Sequence, residues 1–226
     1  MSALWLTRAR LRRDSAATGS LARLLVPEGE GPRVAAGHHL VWALFADTAD
    51  RRRDFLWRED APGRFMALSA RPPTPLPDLF DVDTKPFEPA LSPGDRLGFS
   101  LRANPVVSRT DGSAGRGRRH DVVMDALRHV PDGDRADQRR EVMEQAGQAW
   151  IARQGTAHGF EPGAVAIDGY EPVRVPRDKG GPARFSRLDF TGALVVTDPA
   201  AFLSTVAAGF GRARAFGCGL MLIRRA

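Results

Sequence analysis

From Arg96 onward the chain spells strand, helix, strand, strand, helix, strand, an order that few folds can satisfy. Arg96 to Val107 alternates like a strand, and Gln138 to Gln154 carries Val142, Ala146, Ala149 and Trp150 at helical spacing. Gly163 to Val175 and Arg184 to Val196 alternate as strands around the turn Pro176-Arg-Asp-Lys-Gly-Gly-Pro182. Asp198-Pro199 is an N-cap followed by a first-turn proline, opening a helix to about Ala208. A glycine-rich turn then feeds the short apolar strand Leu220 to Ile223.

The first half follows the same order less completely. Leu4 to Leu11 reads as a strand, Asp14 to Gly37 as a loop, and His38 to Phe45 as a helix apolar almost all round. Phe55 to Glu59 and Arg64 to Ala70 form a hairpin around Asp60-Ala-Pro-Gly63. Pro72 to Pro77 breaks the chain, and Asp81 to Pro89 adds an edge strand. Two split βαβ units follow. The expected class is α+β: tandem ferredoxin-like (RRM-like) domains, antiparallel sheets with helices on one face. Ser92-Pro-Gly94 sets the boundary, giving domains 1–91 and 92–226.

Charge narrows the partner. The formal net charge is +6 and the pI about 10.7, and every basic residue except Lys85 and Lys179 is arginine. Basic and acidic residues balance up to residue 92, 13 against 12, and diverge afterwards, 20 against 15. Such a surface favours nucleic acid or another polyanion. The single Cys218 excludes an internal disulfide and a cysteine-based zinc cluster. A charge-free run such as Pro199 to Gly211 covers 13 residues, short of the ~20 that span a bilayer. The opening residues lack a basic-then-apolar leader pattern. A soluble cytoplasmic protein with no membrane partner is expected.

Three stretches could hold a polyanion. Arg109 to His120 carries Arg109, Arg116, Arg118 and Arg119 against one acid, Asp111, and reads as a mobile arm that orders on RNA or as a solvated linker. Arg174, Arg177, Lys179, Arg184 and Arg187 flank the second basic turn, opposed by Asp178. The third is Gly209-Phe-Gly-Arg-Ala-Arg-Ala-Phe-Gly-Cys-Gly219, after which no acid occurs. It is not a phosphate-binding Walker loop, since no Gly-Lys-Ser/Thr follows. It also departs from the RRM signature, because Arg212 and Ala215 stand where aromatics should stack bases. A tight helix-to-strand connection and a nucleic-acid contact are both open to it. His120, His129 and His158 fall in or near loops and read as surface residues, Cys218 as a packed thiol, and no histidine or acid spacing suits a metal or other cofactor.

Four segments in this order, Gly37-His-His-Leu-Val-Trp-Ala-Leu-Phe45 with Arg53-Asp-Phe-Leu-Trp57, Leu101-Arg-Ala-Asn-Pro105, Gln148-Ala-Trp150, and the glycine loop, span nearly the whole chain. Together they resemble the CasE-type family, the CRISPR repeat-processing endoribonucleases of type I-E systems, within the RAMP superfamily. The resemblance implies binding of a CRISPR repeat stem-loop and metal-independent cleavage at the base of the stem. It also implies retention of the product for the other subunits of the Cascade complex, with no DNA substrate. It assigns His38 as the catalytic histidine. The tyrosine the family commonly carries three residues earlier is Ala35 here, and the only tyrosine is Tyr170. Carried onto this chain, the RNA-contacting set is Arg102, Arg109, Arg116, Arg118, Arg119, Arg174, Arg177, Lys179, Arg184, Arg187, Arg212, Arg214, Gly217 and Gly219.

The chemistry fits those residue types. Without a metal, the ribose 2′-OH must attack its own phosphate, a base must take its proton, and cations must stabilise the phosphorane. Histidine, with an ordinary pKa near 6.5, suits either that base or the acid that protonates the leaving 5′-oxygen. A place near the helix N-terminus would favour its neutral form, while His39 points about 100° away on the same helix. Two other readings stand beside the nuclease: a non-catalytic RNA-binding subunit of the same fold, and a general structured-RNA binder.

Overall fold

The computed structural model describes residues 3–12, 16–46, 48, 52–109, 117–176 and 181–226. Its elements run β1 (Leu4–Leu11), α1 (Ala16–Leu25), α2 (Glu30–Phe45), β2 (Phe55–Ala61), β3 (Arg64–Ser69) and β4 (Phe80–Phe87). The second half adds β5 (Arg96–Ala103), β6 (Val106–Arg109), β7 (Arg118–Asp121), α3 (Val122–Leu127), α4 (Arg135–His158), β8 (Phe160–Val175), β9 (Ala183–Val196), α5 (Pro199–Ala208) and β10 (Met221–Arg225).

The two four-stranded sheets share one topology. The first runs β2-β3-β1-β4 and the second β10-β5-β9-β8, with every neighbouring pair antiparallel. Each is the strand order of the split βαβ unit, so the chain is a tandem of ferredoxin-like folds. The weak strand expected after Pro77 is β4, on the sheet edge with Pro86 in it, where a missing ladder donor is tolerated. No helix fills the β3–β4 connection among the described residues.

Each sheet buries one face under helices. Leu40, Val41, Leu44 and Phe45 of α2 pack with Ala9, Leu11, Phe55, Trp57, Phe65 and Phe80. On the first sheet's other face, Leu56 and Leu68 join the second domain's core, with Leu101, Trp150, Phe190, Phe202 and Phe210. Polar ties cross the same seam: Arg58 Nη1 donates to Ser100 Oγ at 2.9 Å and Arg102 Nη1 to the Glu59 carbonyl at 3.1 Å. At ~25 cal/mol per Å² of apolar surface removed from water, such a seam ties the two domains firmly together.

Three expectations need correction. The segment Asp14 to Gly37 is not a loop: α1 occupies part of it, and α2 starts at Glu30. Pro32, Gly31 and Gly37 look like turn residues but sit within α2. Pro32 sits in the first turn of α2, where its missing N–H costs nothing. A Cβ on Gly31 would lie 2.0 Å from the Arg174 carbonyl oxygen, so only glycine lets α2 touch β8. Second, the strand from Arg96 stops at Ala103, and β6 with β7 forms a separate ribbon. The arm foreseen between Arg109 and His120 therefore has both ends in this ribbon, with 110–116 outside the described residues. Third, α4 begins at Arg135, α3 precedes it, and the Asp198 cap of α5 stands as expected, accepting from Ala200 N and Ala201 N at 3.0 Å.

Candidate active site and nucleic-acid interface

Helix α2 crosses from one domain to the other, and His38 sits at the crossing. Its first turns, through Val34 and Ala35, pack on Val173, Val175, Phe185 and Phe216 of the second domain. Its later turns pack on the first sheet. Gly37 allows this crossing, because a Cβ there would meet Trp57 at 3.0 Å and Phe65 at 3.3 Å.

His38 is half-buried, and its ring lies 6.0 Å from Phe216, 6.2 Å from Trp42 and 5.5 Å from His39, centroid to centroid. Its Nδ1 is 2.8 Å from the Ala215 carbonyl oxygen. A carbonyl only accepts, so Nδ1 carries the hydrogen, and in the neutral ring Nε2 keeps its lone pair. The same oxygen accepts from Trp57 Nε1 at 3.2 Å. Ala215 belongs to a single 3-10 turn, Arg214–Phe216, inside the glycine loop. The loop thus fixes the tautomer of the histidine on the other domain.

The position of His38 corrects one physical expectation. It is the ninth residue of α2 rather than a first-turn residue, so the helix dipole contributes little. Its pKa is nevertheless held below the ordinary 6.5. Burial is the main cause, with His39 and Arg53 adding positive field, and the Ala215 hydrogen bond opposes them. The ring is neutral at neutral pH, the form a base needs.

Gly217 and Gly219, candidates for nucleic-acid contact, have a packing role in the fold. Both are buried with positive φ, +79° and +92°. A Cβ on Gly219 would strike the Phe210 carbonyl oxygen at 2.7 Å, while one on Gly217 would only touch Trp57 at 3.4 Å. They fold the loop beneath the histidine. Cys218 between them is fully buried, its thiol pushed up to about 12 mainly by burial. His158 is half-buried rather than superficial, edge-on to Phe210 at 6.1 Å.

The candidate arginines divide into three groups. Arg102, Arg109 and Arg187 are paired with carboxylates, Arg102 and Arg187 largely within the fold and Arg109 at an exposed position. Arg102 grips Asp189 through Nε at 2.7 Å and Nη2 at 2.8 Å, and Arg109 holds Asp125 at 2.7 Å. Arg187, 9% exposed, bridges Glu171 at 2.7 Å and Glu30 of α2 at 2.5 Å, binding α2 to the second sheet. Each of these three candidates already pairs with a carboxylate. Arg116, Arg177 and Lys179 lie outside the described residues. Arg118, Arg119, Arg174, Arg184 and Arg212 are exposed, and Arg214 half-buried.

Arg119, Arg174 and Arg184 converge on a groove of about 660 Å³ together with Arg139, which sequence reasoning missed. Arg174 and Arg184 stand directly opposite each other on β8 and β9. Arg139 lies 5.2 Å over the ring of Tyr170. The acid of the groove, Asp121, is already used: it accepts from Met124 N at 2.8 Å, from Tyr170 Oη at 3.1 Å, and from Ser186 Oγ. None of the four arginines has a carboxylate partner among the described residues. Arg139 was missed because α4 presents it one turn from its own acids, and nothing local marks the face turned to Tyr170. Tyr170 is tied to this groove, and Ala35 packs near Phe216, so no phenol takes the place the family's tyrosine would have. No group of three or more His, Cys, Asp or Glu able to hold a metal occurs among the described residues, and no described helix is long and apolar enough to cross a membrane.

Comparison with known proteins agrees with this geometry. Residues 4–225 match the sequence model of the family described as CRISPR associated protein. The chain is 29% identical over 196 residues to the CRISPR system Cascade subunit CasE of Escherichia coli, covering 81% of this chain and 88% of that one. It is 30% identical over 150 residues to the CRISPR-associated endoribonuclease Cse3 of Thermus thermophilus, covering 62% and 60%. Among solved structures, CRISPR endoribonuclease Cse3 bound to a 19-nucleotide RNA superposes with a TM-score of 0.68 at 25% identity, over 98% of this chain and 99% of the other.

Proposed function

The chain belongs to the CRISPR associated protein family, and on that premise we propose that it is an endoribonuclease that binds the stem-loop of a CRISPR repeat and cuts the precursor RNA at the base of the stem. The relatives named Cascade subunit CasE and endoribonuclease Cse3 support the activity, the RNA partner and retention of the product within Cascade. The observation that carries the mechanism is the hydrogen bond from His38 Nδ1 to the Ala215 carbonyl, which leaves Nε2 as a base.

The reaction is an internal displacement. Nε2 of His38 takes the proton of the 2′-hydroxyl, the P–O2′ bond forms, the P–O5′ bond breaks, and the departing 5′-oxygen takes up a proton from solvent. The imidazolium formed is stabilised through its Nδ1–H by the Ala215 carbonyl. The products carry a 5′-hydroxyl and a 2′,3′-cyclic phosphate, or the 3′-phosphate left by its hydrolysis. DNA, lacking the 2′-hydroxyl, is bound at best and not cut. The groove of Arg119, Arg139, Arg174 and Arg184 holds the stem backbone by its phosphates, with Arg118 and Arg212 extending the cationic surface.

The test is cleavage of an RNA hairpin carrying the repeat of the host's own CRISPR array. Cutting should persist in EDTA, stop when the nucleotide 5′ to the break is 2′-deoxy, and fall by about 10²–10⁴ in His38→Ala while binding remains. Loss of cutting in EDTA would overturn the mechanism. The alanine at position 35, with no phenol in its place, favours one second reading, a non-catalytic RNA-binding subunit of the same fold. Tight binding of the hairpin by an enzyme that never cuts it would decide for that reading.

A further inference from the structure

Beside His38 lies a charge arrangement that the base alone does not explain. Arg214, in the glycine loop, acts as a like charge on Arg53, just before β2, and Arg53 in turn acts on His38. The loop and the start of β2 are in direct contact. A Cβ on Gly209 would lie 2.8 Å from Leu56 and 3.3 Å from Arg214 Cδ, and Trp57 reaches the Ala215 carbonyl.

Arg214 is anchored, not loose. Its Nη1 donates to the Ala208 carbonyl at 2.7 Å and its Nε to the Gly211 carbonyl at 3.1 Å. Both acceptors are neutral, so its charge stays uncompensated, and Nη2 makes no bond among the described residues. Arg53 has no ion-pair partner among the described residues. Arg212, exposed on the same loop, adds a third positive field to Arg214. Both pKa values are lowered, by partial burial first, and then by Arg214 in the case of Arg53 and by Arg212 in the case of Arg214. Arg53, exposed just before β2, and Arg214, half-buried in the loop that β2 touches, thus present two cations with no paired acid among the described residues, an arrangement that a bound anion would stabilise.

We propose that Arg53 and Arg214 form the phosphate clamp of this site, gripping the non-bridging oxygens of the phosphate whose 2′-hydroxyl neighbour faces His38 Nε2. The clamp rests on the nuclease reading for the identity of its anion, but its geometry does not. Guanidinium forks match phosphate oxygens in pairs. A phosphorane carries more negative charge than the diester it forms from, so preset cations hold it more tightly than the substrate. Arg53 and Arg214 would also supply a stabilisation that neither Ala35 nor any described acid offers.

Two measurements test the clamp. In single-turnover cleavage of the repeat hairpin, Arg53→Ala and Arg214→Ala should each slow the chemical step by about a hundredfold. Affinity for the 2′-deoxy hairpin should fall no more than about tenfold, and Arg53→Lys should recover part of the rate. Separately, NMR titration of the His38 imidazole in the RNA-free protein needs no cleavage. Sulfate should raise its pKa in the wild type, Arg53→Ala should raise it without sulfate, and the sulfate response should vanish in the double variant. Variants that cut at wild-type rate overturn the clamp and leave the nuclease standing. A wild type that never cuts, yet shows the sulfate response, overturns the nuclease reading and supports the clamp. Absence of the response overturns the clamp.

Discussion

Trp57 and His38 donate to one and the same acceptor, the carbonyl oxygen of Ala215, at 3.2 and 2.8 Å. A backbone oxygen has two lone pairs, and here both are filled by rings from the first domain. The indole holds the loop in place so that the imidazole meets a fixed partner. Trp57→Phe keeps an aromatic ring in the core and removes only the donor and part of the volume. It should cost about 1–3 kcal/mol of stability, read by denaturant unfolding. It should also slow cleavage about tenfold or more by freeing the carbonyl that orients His38, with hairpin affinity nearly unchanged. An unaltered cleavage rate would show that the shared carbonyl does not position the base.

The depressed pKa of His38 has two pH signatures. As a base it works when neutral, so the cleavage rate should rise with pH and level off below 6.5, the ordinary histidine value. The stability effect follows from protons bound. Below about 6.5 the unfolded chain protonates this ring before the folded one does. The folded state therefore keeps its full stability above the unfolded pKa and loses part of it as pH falls towards and through the folded pKa. Relative to His38→Gln, the wild type should lose stability in that window, measured by urea midpoints across pH. A plateau reached only well above 6.5 would contradict the burial argument.

Much of the tandem fold was written in the sequence, because strands alternate and helices repeat at distinct periods. β9 and α5 follow those periods, whereas the pairing of β8 shifts register between Pro162 and Val165 and between Asp168 and Glu171. The start of α2 was hidden because Gly29, Gly31, Pro32 and Gly37 look like turn residues, while in the fold Gly31 and Gly37 allow close contact with β8, Trp57 and Phe65. His38 was legible from its segment; its true environment was not, since Ala215 is 177 residues away. The arginines show the same limit. Sequence gives charge, but only the fold reveals that Arg187 faces Glu30 and Glu171 while Arg139 faces Tyr170.

Gly31 offers a direct test of the hidden helix start. A methyl at this position would sit 2.0 Å from the Arg174 carbonyl oxygen, and backbone cannot yield as a flexible side chain does. Gly31→Ala should raise helix propensity yet destabilise the protein by about 1–3 kcal/mol, as overpacking does. Helix α2 must then lift from β8, carrying His38 with it and lowering the cleavage rate. Thermal melting beside single-turnover kinetics checks both, and a stabilised variant would mean that this contact is not tight.

Arg174 and Arg184 face each other across the β8–β9 ladder, both exposed, without an acid to share among the described residues. Like charges directly opposite on antiparallel strands destabilise the sheet, by a few tenths of a kcal/mol at an exposed pair. A pair kept for folding would not be arranged so, whereas a pair that straddles a phosphate backbone gains from the crowding. Removing either should therefore move two quantities in opposite directions. Arg184→Ala should leave folding stability equal or slightly higher, while hairpin affinity falls and the slope of log affinity against log salt drops by about one. Arg174→Ala should behave alike, and Arg187→Ala should do the reverse, losing stability as Glu171 loses its partner and Glu30 is left with Arg33 alone. Urea unfolding and salt-dependent binding titrations on the three variants separate the cations proposed to hold RNA from the one that ties α2 to the second sheet.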